Sequence, residues 1–295
     1  MNWKGVLPAI TTNFRADGSI DHAALGRHCR WMIDSGCAGI VCGGSLGEAA
    51  TLSPEEKIAV AKTCVKAVGR RSPVVLGIAS LSTAEAVALA KAGAKAGCAG
   101  LMVLPPYVYS TDWREMKAHV VAVLRATKLP CMLYNNPPAY KTDFTPPQVA
   151  ELAADYSNLA AVKESSGDAR RVTAIRALLG SRLDVLVGMD DAIVEGVYAG
   201  AVGWIAGLAN AFPDESVALF DFAMRGDKVR AAELNAWFLP LLRLDTVPKF
   251  VQYIKWVQAE VGRGAAHVRA PRLALAGDEL ALAKKILRAA LRHRP

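Results

Sequence analysis

Cysteine is scarce in this chain and unorganised. The six residues Cys29, Cys37, Cys42, Cys64, Cys98 and Cys131 form no CxxC pair and have no closely spaced histidine partner, so no zinc ligand set is spelled out. Most sit among apolar neighbours, as buried free thiols do, which fits a reducing compartment. The histidines (His22, His28, His119, His267 and His293) fall on predicted helices or in late loops, which argues against a metal centre built on them. No segment approaches the roughly 18 uninterrupted apolar residues of a membrane span. The start, Met1-Asn2-Trp3-Lys4-Gly5, lacks the apolar run of a signal peptide, so a cytoplasmic location is expected. No GxGxxG follows a strand-like run, and a Ser-His-Asp triad has no nucleophile elbow to rest on.

Acidic residues are outnumbered, 27 against 35 Lys and Arg, giving a net charge of +8. Much of the excess lies in Lys284, Lys285, Arg288, Arg292 and Arg294, at helical spacing among Ala and Leu. With no aromatic residues between them, these read as a solvated helix face and not as a nucleic-acid patch. The mild positive field favours an anionic substrate.

What the chain does have is apolar material: 53% hydrophobic against 21% charged residues, which excludes disorder, in a length of 295 that suits a single barrel. Apolar runs begin near Val6, Ile40, Val74, Leu101, Cys131, Ala160, Val185 and Trp204, each followed by a helical pattern. Runs without polar alternation are strands buried on both faces, hence a parallel sheet. Helix starts are marked at Asp21, at Ser53-Pro54-Glu55-Glu56 and at Ser82-Thr83-Ala84-Glu85, the last read as a capping box. Helix exits repeat as Gly36-Cys37-Ala38-Gly39, Gly97-Cys98-Ala99-Gly100 and Gly200-Ala201-Val202-Gly203, the first glycine of each suiting a left-handed C-cap. One reused β-strand plus α-helix unit predicts a closed (β/α)8 barrel over residues 1–226. After Gly226 the strand pattern stops, and 227–243, 249–262 and 278–293 read as three helices, a C-terminal extension over 227–295 that packs on the barrel or forms an oligomer contact.

The active site of such a barrel lies at the C-terminal ends of its strands. Lys163 ends the sixth run. Partial desolvation there favours a neutral, nucleophilic amine, and the alternative is a lysine paired with Glu164. Tyr134 ends the fifth run, as a proton carrier or as a core tyrosine. Gly43-Gly44-Ser45-Leu46-Gly47-Glu48 follows the second run, either a backbone cradle for a carboxylate or a plain turn. Tyr107, in Leu104-Pro105-Pro106-Tyr107, either reaches over the barrel mouth or lies on a rigid surface turn.

Together, Gly44-Ser45-Leu46-Gly47-Glu48, Tyr134-Asn135-Asn136-Pro137 and Val162-Lys163-Glu164-Ser165-Ser166-Gly167 resemble the GxxGE, YNxP and KExxG motifs of the dihydrodipicolinate synthase / N-acetylneuraminate lyase family. The resemblance covers essentially the whole chain. It implies a (β/α)8 barrel, a homotetramer or homodimer, and no metal or organic cofactor. It implies that Lys163 forms a Schiff base with a small 2-oxo acid or a cyclic imine carboxylate. It makes Tyr134, Ser45 and Tyr107 proton carriers, Leu46 and Gly47 part of the carboxylate cradle, and Gly188 and Ile205 lining of the pocket.

Two departures stand out. Dihydrodipicolinate synthases carry two threonines where this chain has Ser45 and Leu46, and an arginine where it has Ala139, followed by Tyr140. Leu46 relays no proton, and the loss of a bidentate carboxylate clamp disfavours that reaction. The stretches Asn2-Trp3-Lys4-Gly5-Val6, Tyr134-Asn135-Asn136-Pro137, Leu244-Asp245-Thr246-Val247-Pro248-Lys249-Phe250-Val251-Gln252-Tyr253-Ile254-Lys255 and Val268-Arg269-Ala270-Pro271-Arg272-Leu273 are similar to 1-pyrroline-4-hydroxy-2-carboxylate deaminases of bacterial hydroxyproline breakdown. That reaction is the first expectation. An aldolase or dehydratase acting on pyruvate or a 2-keto-3-deoxy sugar acid is the second, and a non-catalytic barrel serving as sensor or scaffold is the third.

Overall fold

The computed structural model describes residues 1–106 and 112–295. Eight strands alternate with helices: β1 (Gly5–Pro8), β2 (Ile40–Cys42), β3 (Val74–Ile78), β4 (Gly100–Val103), β5 (Cys131–Asn135), β6 (Leu159–Glu164), β7 (Asp184–Val187) and β8 (Gly203–Ala206). Each begins at, or one residue before, the position at which its apolar run begins. All pairings are parallel, in the order β1-β8-β7-β6-β5-β4-β3-β2. β1 and β2 close the ring with a parallel bridge between Ala9 and Val41, backed by the Ile10 N–H to the Val41 carbonyl at 2.9 Å. The result is a TIM barrel.

The helices α1 (His22–Asp34), α2 (Pro54–Val68), α3 (Thr83–Lys95), α4 (Trp113–Arg125), α6 (Pro146–Asp155), α7 (Arg170–Leu179), α8 (Ile193–Tyr198) and α9 (Pro213–Met224) wrap the outside, and the short α5 (Pro137–Tyr140) follows β5 at the mouth of the barrel. Their ends follow local chemistry. Asp21 caps α1 by accepting the Ala24 N–H at 2.9 Å, and Ser53 and Glu56 form a reciprocal capping box at α2. At α3 the box is only half made. Ser82 accepts the Glu85 N–H, but the Glu85 carboxylate lies 4.0 Å from the Lys57 ammonium instead of returning to the Ser82 N–H. Gly36, Gly97 and Gly200 have φ of +93°, +88° and +107°, the left-handed turn that lets each helix drop into the next strand without a Cβ clash. All six cysteines are buried free thiols.

The N-terminal end of the barrel is plugged. Trp3 is buried against Gly100 at the start of β4, where a Cβ on the glycine would come within 3.0 Å of the indole. Residues 227–295 contribute α10 (Lys228–Leu242), α11 (Phe250–Glu260) and α12 (Gly277–Arg292). α11 is tied to the loop after β1: Gln258 accepts the Thr11 hydroxyl at 2.7 Å, and Lys255 donates to the Thr12 carbonyl at 2.9 Å. Arg269, further on, forms a two-pronged pair with Glu56 of α2 at 2.7 and 2.6 Å. Among the described residues, no helix is long and apolar enough to cross a membrane.

Candidate active site

At the C-terminal ends of the strands the barrel opens into a cavity of about 520 Å³. Lys163 and Tyr134 face it from neighbouring strands, paired in register across β5 and β6. The Lys163 Nζ lies 4.0 Å from the centre of the Tyr134 ring. Lys163 is 6% exposed, and among the described residues no hydrogen bond or ion pair engages its ammonium group.

The alternative pairing with Glu164 does not occur, because strand alternation turns that side chain to the opposite face of β6. There Glu164 accepts from Asn135 Nδ2 at 3.1 Å, from Arg171 Nε at 3.3 Å and from the Ser166 N–H at 2.7 Å. Asn135 also donates to Asp143 and accepts the Phe144 N–H. The polar residues following Tyr134 and Lys163 therefore lock the two strand ends together. Asn136 caps α5 through the Ala139 N–H and donates at 2.9 Å to the Tyr134 hydroxyl, which fixes that phenol while leaving its own proton to give.

Ser45 and Leu46 line the cavity. Among the described residues, the backbone N–H groups of Ser45, Leu46 and Gly47 have no acceptor. Gly47 itself stands behind the wall, where a Cβ would come within 3.1 Å of the Ile10 carbonyl oxygen. The Ser45 hydroxyl is hydrogen-bonded to the Tyr140 hydroxyl, and the Tyr140 ring meets that of Tyr134 edge-on at 5.6 Å. Gly188 and Ile205 line the cavity from the ends of β7 and β8, and Tyr107 lies outside the described residues.

Several wall residues were not legible in the sequence. Tyr140 comes from the short helix α5, which the strand-and-helix period passes over. Asp245, Val247 and Phe250 come from the C-terminal extension, as does Arg272. The sequence leads one to expect no arginine here, because Ala139 stands at the motif position. The cavity wall does contain an arginine, Arg272, from more than 130 positions away, and its guanidinium lies 3.8 Å from the Glu48 carboxylate.

Two carboxylates lie at the same end of the barrel. Asp190 is buried and accepts from the Trp204 indole N–H at 2.9 Å, from the Gly207 N–H at 3.0 and 3.1 Å, and from the Leu208 N–H at 2.7 Å. Burial lifts its pKa to about 6 against the pull of these donors. The Asp245 carboxyl is pushed well above the usual carboxylate range, first by its enclosure and then by the neighbouring Asp190.

The model of the dihydrodipicolinate synthetase family matches residues 2–290. The chain belongs to that family. A relative from Chelativorans sp. (strain BNC1), a 4-hydroxy-tetrahydrodipicolinate synthase, is 35% identical over 99% of this chain and 98% of its own. The solved structure of the 4-hydroxy-tetrahydrodipicolinate synthase from Methylacidiphilum fumariolicum SolV superposes with a TM-score of 0.95 at 29% identity, covering 99% of this chain and 97% of that one. A prophage protein of the same family from E. coli K12, solved in complex with pyruvate, gives 0.92 at 28% identity over 99% of both chains. This member of the dihydrodipicolinate synthetase family is thus an enzyme of the lyase and aldolase type.

Proposed function

We propose that the protein forms a Schiff base through Lys163 with 1-pyrroline-4-hydroxy-2-carboxylate and converts it to 2,5-dioxopentanoate and ammonia. The observation that supports a Schiff base is a lysine 6% exposed, its amine unpaired among the described residues, lining a cavity whose wall also offers free backbone N–H groups at Ser45 and Leu46. A one-carboxylate substrate needs one cradle, and those amides supply it. Leu46 and Ala139, where a dihydrodipicolinate synthase carries a hydroxyl and an arginine, favour this substrate over that enzyme's pair.

In this reading the Lys163 amine adds to C2 of the ring, and transimination breaks the C2–N1 bond, leaving the substrate tethered with its own amine free. The Schiff base acidifies C3. Loss of a C3 proton and of the C4 hydroxyl, which departs as water, gives an unsaturated intermediate. Tautomerisation moves the unsaturation to C5 as an imine. Hydrolysis at C5 releases ammonia, and hydrolysis at C2 returns Lys163. One water is lost and two are consumed. Tyr134 carries protons at the amine, and Ser45 with Tyr140 forms a second proton path from the cradle side. Tyr107 is a further carrier, on the strength of the family resemblance.

The test is a turnover assay following ammonia and 2,5-dioxopentanoate, with Lys163→Ala as control. Release of both by the wild type and neither by the variant is expected. A variant as active as the wild type would sink the proposal. A second reading, an aldolase or dehydratase acting on pyruvate or a 2-keto-3-deoxy sugar acid, is favoured by the family of the curated relatives and by the presence of Arg272 in the cavity wall. It predicts no ammonia release, with borohydride still trapping pyruvate on Lys163.

A further inference from the structure

Asp245 and Asp190 meet at one glycine. The Gly207 N–H is held by Asp190, while a Cβ on Gly207 would come 2.1 Å from Asp245 Oδ1 and 2.4 Å from its Cγ. The bare Cα of Gly207 is what lets the Asp245 carboxyl lie against the end of β8. The two carboxyl groups have opposite surroundings. Asp190 receives hydrogen bonds from three different N–H groups and is stabilised as the anion. Asp245 Oδ1 is shut off from solvent, and among the described residues nothing donates to it. Two neighbouring carboxyls in a low-dielectric site do not both ionise, so the charge resides on Asp190 and the proton on Asp245. Asp245 also lines the same cavity as Lys163, from the C-terminal extension and on a different element from the Ser45–Leu46 cradle. Asp245 is thus a neutral acid on the wall of the substrate cavity, with its buried oxygen held by no donor among the described residues.

We propose that Asp245 is the general acid that expels the substrate's hydroxyl. This rests on the deaminase reading above. Once C3 has lost its proton, the electron pair of the enamine forms the C3–C4 double bond and the C4–O bond breaks. The oxygen leaves with its bonding pair, takes the Asp245 proton and departs as water. The Asp245 carboxylate then accepts the proton released from C5 during tautomerisation, which restores the neutral acid, while C4 takes up the proton removed from C3 and C3 is reprotonated from solvent before Lys163 is released. The two transfers cancel, so the net reaction is unchanged.

The test uses the full-length enzyme with Asp245→Asn, which keeps the shape of the side chain and removes the acid. The kcat for ammonia release should fall by about 10² or more, with KM changed only a few-fold. Borohydride quenching of the variant during turnover should trap on Lys163 an adduct that retains the hydroxyl, heavier by one water than the dehydrated adduct. The wild-type kcat should fall on the alkaline side as Asp245 ionises, and the variant should lose that limb. Trapping of pyruvate on Lys163 reports that the variant is folded with its amine in place. Should Asp245→Asn fail that check, Asp245→Ser, less bulky beside Gly207, takes its place. Ammonia release by the variant at the wild-type rate, with the same alkaline limb, overturns the role of Asp245 and leaves the deaminase reading standing. No ammonia release by the wild type overturns that reading, and the role of Asp245 with it.

Discussion

Gly188 exists in its place because Lys163 passes through the space that a side chain would fill. A Cβ on residue 188 would stand 2.4 Å from Lys163 Cε, 2.8 Å from its Cγ and 2.0 Å from the Ser165 hydroxyl. Ser165 is fully buried, whereas Lys163 is a flexible side chain that faces the cavity, so the lysine is the neighbour that gives way. Gly188→Ala should therefore displace the lysine before it unfolds the barrel. We expect kcat/KM to fall by about 100-fold or more, near 3 kcal/mol of transition-state stabilisation, with an overpacking cost of about 1–3 kcal/mol in stability. Borohydride trapping of pyruvate, beside a urea titration, separates the two effects. Unchanged trapping would mean that the lysine has another path.

The Ser45–Tyr140 hydrogen bond makes a sharper claim about proton movement. If the two hydroxyls form one path, Ser45→Ala and Tyr140→Phe should each lower kcat by about 10²-fold, and the double variant should be little worse than either. Multiplicative losses would show that the two act separately.

Glu48 and Lys255 test the fold and not the chemistry. Glu48 has a left-handed backbone with φ of 57°, and its fully buried carboxylate accepts from Lys255 Nζ at 2.7 Å and from the Arg269 N–H at 3.1 Å. Lys255 is 1% exposed and its ammonium lies 4.4 Å from the centre of the Phe14 ring. Lys255→Met takes the nearer cation from the buried Glu48 carboxylate and leaves it only the Arg272 guanidinium at 3.8 Å, which should cost about 3 kcal/mol in urea unfolding. Adding Glu48→Gln should recover part of that loss; a double variant less stable than the single one contradicts the account.

His28 gives the pH dependence. Its ring is buried, its Nε2 lies 2.9 Å from Asn210 Oδ1, and burial holds its pKa down from 6.5 to about 4, with Arg263 adding to the effect and Asn210 opposing it. Below pH 6.5 the unfolded chain binds a proton that the folded His28 refuses. The stability this residue contributes is thus fully present above pH 6.5 and lost as pH falls through about 4, a difference of about 3 kcal/mol. Urea titrations at several pH values, with His28→Gln as reference, read it directly. The wild type should lose more stability on acidification than the variant, and parallel curves would contradict the assignment.

The architecture is written in the sequence because it depends on local, repeated chemistry. Apolar runs mark strands buried on both faces. Gly36, Gly97 and Gly200 mark left-handed helix exits, and Ser53 with Glu56 marks a helix start. Each signal is confined to a few neighbouring residues, so the starts of the eight strands were legible to within a residue. Lys163, Tyr134 and Ser45 were legible for a related reason: a site at the strand ends draws on the last residues of runs that can be counted. The capping box expected at Ser82 was only half formed, because Glu85 also lies within reach of Lys57, a residue on another helix.

What the tertiary structure alone decided is which distant groups complete the site. Asp245 and Arg272 lie beyond the last strand, in a stretch without strand periodicity, and only the docking of the C-terminal extension brings them to the cavity. Which of two acids carries a proton was equally invisible. Asp190 and Asp245 are chemically identical as letters in a sequence, and it is the N–H groups of Trp204, Gly207 and Leu208, aimed at one of them and not at the other, that set them apart.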